Sequence, residues 1–379
     1  MKNEVTTQLT TTSTKRDDTL RKMIGAIGAD NLSLIFALIA LVFLITVVSS
    51  WFGLDGGDKF FTWQNLMNSL AQAIVIVGLL AIGETIVIIG GAIDISVGSI
   101  ASIGSVVSAS VLVGAGTFGA LTFIPTDSVV VAVVAGIMAG VLAGVINGFI
   151  VTTLRVNPLI TTLATLATFA GIAFLLAPGG KPVGVLTQPD FTWLAQGRFL
   201  VDLSVPPLNG SNWTGIPILT IILVIVAIIF HIIISYTDFG RAIYAIGGNA
   251  TAARLAGINL NRVRILMYML TDGVAGLAGV LLAARTTSGN PVNGTGLELQ
   301  AITAVFLGGA ATAGGKGTIF GTFLAVILVG VLNNGMNLLG FNTFTQRVTL
   351  GLLLVAAVAV SQWRQARAER ARMSIASQE

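Results

Sequence analysis

The sequence predicts an all-α integral membrane protein of about ten transmembrane helices, with the N- and C-termini cytoplasmic. Three observations carry this. Of 379 residues, 54% are hydrophobic and only 9% charged, against about 25% charged in a soluble domain, too little to cover a globule of this size. The apolar residues fall into ten runs, roughly 31–50, 68–91, 95–115, 128–153, 158–177, 216–235, 264–284, 299–313, 318–338 and 345–362, most of them near the ~20 residues that cross a bilayer as a helix. With the N-terminus inside, fifteen of the twenty Lys and Arg side chains fall on the inner side, leaving Lys59, Lys181, Arg198, Arg285 and Arg347 outside, as the positive-inside rule requires.

Residues 1–30 read as a polar cytoplasmic tail, residues 31–362 as the transmembrane domain and residues 363–379 as a basic cytoplasmic tail. The first tail has no early apolar stretch, so no cleavable signal peptide is expected and the first span acts as the signal. In the last tail, Arg364, Arg367, Arg370 and Arg372 suit the inner lipid surface. All nine prolines fall in loops or at span ends, because proline would leave a carbonyl unpaired in lipid. In "GIMAGVLAGVING" the glycines 136, 140, 144 and 148 repeat every four residues on one helix face, a stripe that lets two backbones approach. Gly273, Gly276 and Gly279 form a similar set in the seventh span. The longest outer loop is about 178–215.

The chain has no cysteine, so no disulfide or thiolate site. Its lone histidine, His231, near the inner end of span six, reads as hydrogen-bonded or snorkelling and cannot build a metal site alone. No metal is expected. The net charge of +4 is distributed as a membrane topology demands and does not point to nucleic acid.

Ionisable residues within spans are expensive and usually functional. Glu84, Asp94 and Asp272 lie within or near the spans, and Glu298 sits at the mouth of span eight. Glu84 and Asp94 flank Gly90 and Gly91, a pair that can interrupt a helix without a side-chain clash. A broken helix beside a carboxylate is a feature of transporter binding sites. Asp94 also suits a cap on the helix predicted to start at Ile95, and the two roles are compatible. "GGAATAGGKGT" at 308–318 resembles a phosphate-binding loop but fails it: Ala310 stands where glycine is needed, and Gly317 follows Lys316 in place of Ser or Thr. No nucleophile, base and acid set exists either, so an enzyme is not expected, and any ATP must be bound by another chain.

The loop 236–264, "YTDFGRAIYAIGGNATAARLAGINLNRVR", is the largest inner loop. Asn249 is a good N-cap for a short helix and Gly257 a good C-cap, while Gly240, Gly247 and Gly248 allow sharp turns before it. A helix this short needs a surface to lie on, from its own bundle or from a docking partner.

Three stretches together resemble the permease subunits of ABC importers for monosaccharides, the ribose-type permeases, which also serve xylose, arabinose, galactose and autoinducer-2. They are "GGAIDISVGS", "GRAIYAIGGNATAARLAGINLNRVR" and "LELQAITAVFLGGAATAGGKGTIFGTF" with "GVLNNGMNLLG". The resemblance covers roughly residues 60 to 360. It implies a paired permease, with a second copy of the chain, a cytoplasmic ATPase subunit and a periplasmic sugar-binding protein, in the bacterial inner membrane. It implies that Gly240, Arg241, Gly248, Asn249, Ala252, Ala253, Arg254 and Gly257 belong to the loop that couples to the ATPase. It places Gly90, Gly91, Asp94, Ser96 and Gly98 in the turn between spans two and three. That turn falls in the inner half of the membrane, which suits gating or structure for Asp94 more than sugar contact.

The chain departs from the family pattern at Asp272 and Glu84, where small or apolar residues are usual, and in its longer N-terminal tail. The amides of Asn333, Asn334 and Asn337 can serve sugar hydroxyls or bond between helices. With Glu84, Asp94, Ser96, Asp272 and Glu298 they are the candidate substrate path. Autoinducer-2 or a nucleoside is the rival cargo, and a proton-coupled secondary transporter, with Glu84, Asp94 and Asp272 as relay, the rival class.

Overall fold

The computed structural model describes residues 29–51, 59–114, 117–118, 121–122, 126, 128–185 and 188–376. The N-terminal tail up to residue 28 and the side chains of the C-terminal arginines from residue 364 on lie outside the described residues.

Among the described residues, eight helices are long and apolar enough to cross a membrane. They are α1 (Ala29–Trp51), α2 (Gln64–Ile89), α4 (Val129–Thr152), α5 (Pro158–Leu176), α7 (Ile218–Tyr236), α9 (Leu260–Thr286), α11 (Ile319–Leu338) and α12 (Thr343–Ala376). Two further apolar helices are shorter, α3 (Val97–Val113) and α10 (Leu297–Leu307). They stand where the third and eighth hydrophobic runs were expected. The eighth differs from expectation: the run 299–313 stays helical only to Leu307, because Gly309, Gly314, Gly315 and Gly317 all take positive φ, which an α-helix cannot hold. Between the spans lie α6 (Pro189–Gln196) and α8 (Asp238–Leu255).

At the centre, α9 packs most extensively on α4, then on α3 and α2. The α4 glycine stripe does what its spacing predicts. A Cβ on Gly144 would stand 2.5 Å from the Tyr268 carbonyl oxygen, and one on Gly276 would stand 2.5 Å from that of Gly136, so neither position accepts a larger residue without parting the helices. Towards the periphery, α1, α4, α7 and α12 turn out large apolar side chains such as Phe43, Leu142, Ile225 and Leu352, the surface that lipid covers.

Two breaks interrupt the helical packing, on either side of α3. The first follows α2. Ala92 donates to the Val87 carbonyl and Gly91 to that of Ile88, with Gly91 at φ +82°, the paired bonds of a left-handed helix end. The chain then doubles back so that the Asp94 amide meets the Glu84 carboxylate at 2.8 Å, and α3 starts at Val97, two residues later than predicted. The second break follows α9. Strand β2 (Ser288–Gly289) pairs antiparallel with a strand of the long loop, β1 (Val183–Gly184), Val183 opposite Gly289. The chain then runs along α3 to Leu297. Ser102 Oγ accepts from the Gly294 amide at 3.0 Å, and Ser105 Oγ from Asn293 Nδ2 at 2.9 Å and the Asn290 amide at 3.3 Å. Irregular backbone inside a bundle must be paired in this way, because lipid offers it nothing.

Candidate functional site

The sequence sets Glu84 on α2, Asp94 in the turn and Asp272 on α9, and the fold brings all three together. Each is fully buried. Asp94 Oδ1 accepts from the Ser96 amide at 2.8 Å and the Ser96 hydroxyl at 2.6 Å. Asp94 thus braces the residue just before α3 instead of capping a helix that starts at Ile95. The Asp94 and Asp272 carboxyls approach each other across one amide. Asn147 of α4 sits between them, its Nδ2 2.9 Å from Ser96 Oγ, 3.1 Å from Asp272 Oδ2 and 3.5 Å from Asp94 Oδ2. Sequence reasoning missed Asn147. Its signal was a single amide inside the apolar, glycine-striped span.

Not every polar atom in the cluster finds a partner. Glu84 Oε2, Asp272 Oδ1, Asn147 Oδ1 and the Tyr268 hydroxyl are all buried without a hydrogen-bond partner. Among the described residues, the ion pair of Arg241 with Asp238 lies elsewhere, and no cation pairs with the three carboxyls. Nor does any group of three acidic or imidazole side chains among those residues suit a metal ion.

Beneath the cluster opens a cavity of about 730 Å³, lined by Gly90, Gly91, Tyr268 and three arginines, Arg155, Arg254 and Arg264, with Asn157, Asn259 and Asn261. Its far wall belongs to the loop 236–264. There Asn249 leaves helical geometry at φ −160° and ψ 98°, and its Oδ1 accepts from the Ala252 amide at 3.0 Å. Gly257 takes φ +87°, and Ile258 donates to the Ala253 carbonyl. The segment 249–257 is therefore the capped short helix that the residues predicted, carrying Ala252, Ala253 and Arg254. The glycines before it differ from expectation. Gly240 and Gly247 lie inside α8, where close backbone approach, not a sharp turn, excludes a side chain. Gly247 faces the end of α2, while Arg241, one residue past Gly240, pairs with Asp238 on the exposed side.

Three backbones meet at that point. The Gly315 amide donates to the Ile89 carbonyl at 2.8 Å. A Cβ on Gly314 would stand 2.7 Å from Gly91 Cα, and one on Gly315 would stand 2.9 Å from Gly248 Cα. Tyr244 closes the junction by donating to the Gly317 carbonyl at 2.8 Å. Burial holds this phenol above its ordinary pKa, so it stays a donor.

The remaining candidates separate from the cluster. Glu298 Oε2 accepts from the Gly296 amide at 3.0 Å and lies against Gly98, on the side of α3 that faces the second break. Asn334 exchanges two amide bonds with Asn65, at 3.0 and 2.8 Å, and Asn337 accepts from Gln346 at 2.6 Å. Both are interhelical ties. Asn333 Oδ1 has no partner and faces a cavity of about 100 Å³ with Gln300 and Ser69. His231 lies 3.4 Å from the Ser235 hydroxyl through Nδ1 and stacks edge-on to Tyr236.

Residues 65–358 match the family described as branched-chain amino acid transport system / permease component. The ribose import permease protein RbsC of Bacillus subtilis (strain 168) is 39% identical over 294 residues, covering 78% of this chain and 83% of that one. That of Escherichia coli (strain K12) is 38% identical, covering 87% and 94%, and the L-arabinose transport system permease protein AraH of the same strain is 37% identical, covering 81% and 85%. No solved structure matches significantly. The match runs from the start of α2 into α12 and takes in both breaks, the junction and the capped helix, and it makes this chain a member of the ABC-importer permease family, in its ribose-type branch: a multi-pass inner-membrane transport subunit and not an enzyme.

Proposed function

We propose that the chain is the membrane-spanning subunit of an ATP-driven importer for a monosaccharide of the ribose, xylose, arabinose or galactose type. The observation that supports this most is the similarity to ribose and arabinose permeases along most of the chain. In this reading the arginine-bearing end faces the cytoplasm, and a separate ATPase subunit docks on the capped helix 249–257. A periplasmic binding protein delivers the sugar to the opposite end, and a second copy completes the pathway. The chain itself binds no ATP. Helix 249–257 is well placed for coupling, because the helix that carries it meets the end of α2 and the loop 308–317 at close backbone contacts, with Tyr244 bonded to Gly317. Asn333, Gln300 and Ser69 offer neutral donors and acceptors suited to sugar hydroxyls.

Arg254→Glu tests the coupling. Membrane insertion should be normal, while ATPase docking and sugar uptake fall. Normal uptake by this variant would remove the coupling role from Arg254. The energy source tests the class: uptake should follow ATP, whereas uptake that survives ATP depletion and stops when the proton gradient collapses would replace the importer with a secondary transporter. Autoinducer-2 and nucleosides are the competitors to include when the cargo is measured.

A further inference from the structure

The cluster around Asp94 contains more than a brace for a turn needs. Ser96 satisfies Asp94 Oδ1, Asn147 reaches Asp94 Oδ2 only at 3.5 Å, and the Asp94 amide satisfies one oxygen of Glu84. Glu84 Oε2 and Asp272 Oδ1 remain buried with no donor. A carboxylate buried without donors or a cation carries a desolvation cost of several kcal/mol. A proton on the carboxyl removes it. Asp94 and Asp272 also converge on the same Asn147 amide, and two carboxylates sharing one site repel unless one of them takes up a proton.

A second observation points the same way. The Tyr268 hydroxyl is fully buried and unpartnered, on a residue that lies one turn before Asp272 on α9, packs against Val87 of the helix that carries Glu84 and lines the arginine-bearing cavity. The charged surroundings are few. α2 brings Glu84, the turn Asp94, and α9 Asp272, Tyr268 and, one turn nearer the cavity, Arg264. α4 brings neutral Asn147, and α5 neutral Thr162, bonded to the Ile93 carbonyl. Glu298 of α10 lies against Gly98, and Arg155 and Arg254 complete the cavity wall.

We infer that Glu84, Asp94 and Asp272 form a proton-binding site, which keeps at least one carboxyl neutral at neutral pH and exchanges its proton with the arginine-lined cavity past Tyr268. Loading takes one proton from cavity water onto a carboxylate, and unloading returns it. No other bond changes. The site ties four elements together, so its occupancy biases how α2, α4 and α9 pack around the first break.

The test uses the purified full-length chain and needs neither ATPase nor sugar, so its result stands apart from the importer reading. Infrared spectra at neutral pH are expected to contain the carbonyl stretch of a protonated carboxyl, shifted in deuterated buffer. The band should be lost in Glu84→Gln or Asp272→Asn, both close to isosteric, and kept in Glu298→Gln. Absence of the band from the wild-type chain, or its survival in both variants, would overturn the site. A band that does not shift in deuterated buffer would overturn the exchange with the cavity.

Discussion

The two breaks beside α3 solve one problem with different chemistry. At the second, Ser102 and Ser105 hydroxyls meet the backbone of residues 290–294, and at the first, carboxyls meet it at Asp94 and Ser96. Hydroxyls are neutral at any working pH and cost little to bury once bonded. Carboxyls bond more strongly when ionised but must then be paired or protonated. The serine-lined break is built to hold a shape, and the acid-lined break holds a shape that depends on charge.

Three substitutions break or sharpen that contrast, each read as the thermal unfolding midpoint of the detergent-purified chain. Asp94→Ala should cost most, because it strips the acceptor from the Ser96 amide and hydroxyl, at about 1–3 kcal/mol for each buried donor left unpaired. Gly98→Ala should come next. Its Cβ would stand 2.7 Å from the Gly294 carbonyl oxygen and press on Glu298, where the two breaks approach each other, and overpacking of this kind costs about 1–3 kcal/mol. Ser105→Ala should cost least, about 1 kcal/mol, since Asn293 keeps the Ser288 carbonyl and the Thr286 hydroxyl as partners and the one donor left without a partner, the Asn290 amide, is only half-buried. A Ser105→Ala cost equal to that of Asp94→Ala would end the distinction.

Much of this was legible in the sequence where a rule acts along the chain. Hydropathy located the spans, the four-residue spacing of α4 glycines marked a helix contact, and Asn249 with Gly257 framed a capped helix. What stayed hidden depends on which helix faces which. Gly247 reads equally as a turn or as a close approach until the end of α2 is seen against it. Asn147 and Tyr268 carry no local sign of their neighbours, Asn147 reaching an acid 125 positions away. Glu84 and Asp272 were conspicuous as buried acids, but only the doubling back after Gly91 sets Glu84 beside Asp94, and only the α4–α9 contact sets Asp272 there. The amides of α11 were ambiguous by type, and their partners, Asn65 and Gln346, decided two of the three.

The meeting of Gly91, Gly247 and Gly314 has a mechanical consequence. Side chains between two moving parts act as springs, since rotamers can change and absorb a displacement. Here main chain rests directly on main chain, with only Tyr244 and Ile89 beside it to take up slack. An ångström of travel in the helix that carries Gly247 must therefore reach Ile89 almost undiminished. Glu84 sits five residues up the same rigid helix, about 7.5 Å away at 1.5 Å per residue, so the acid-lined break lies at the end of a short, stiff lever.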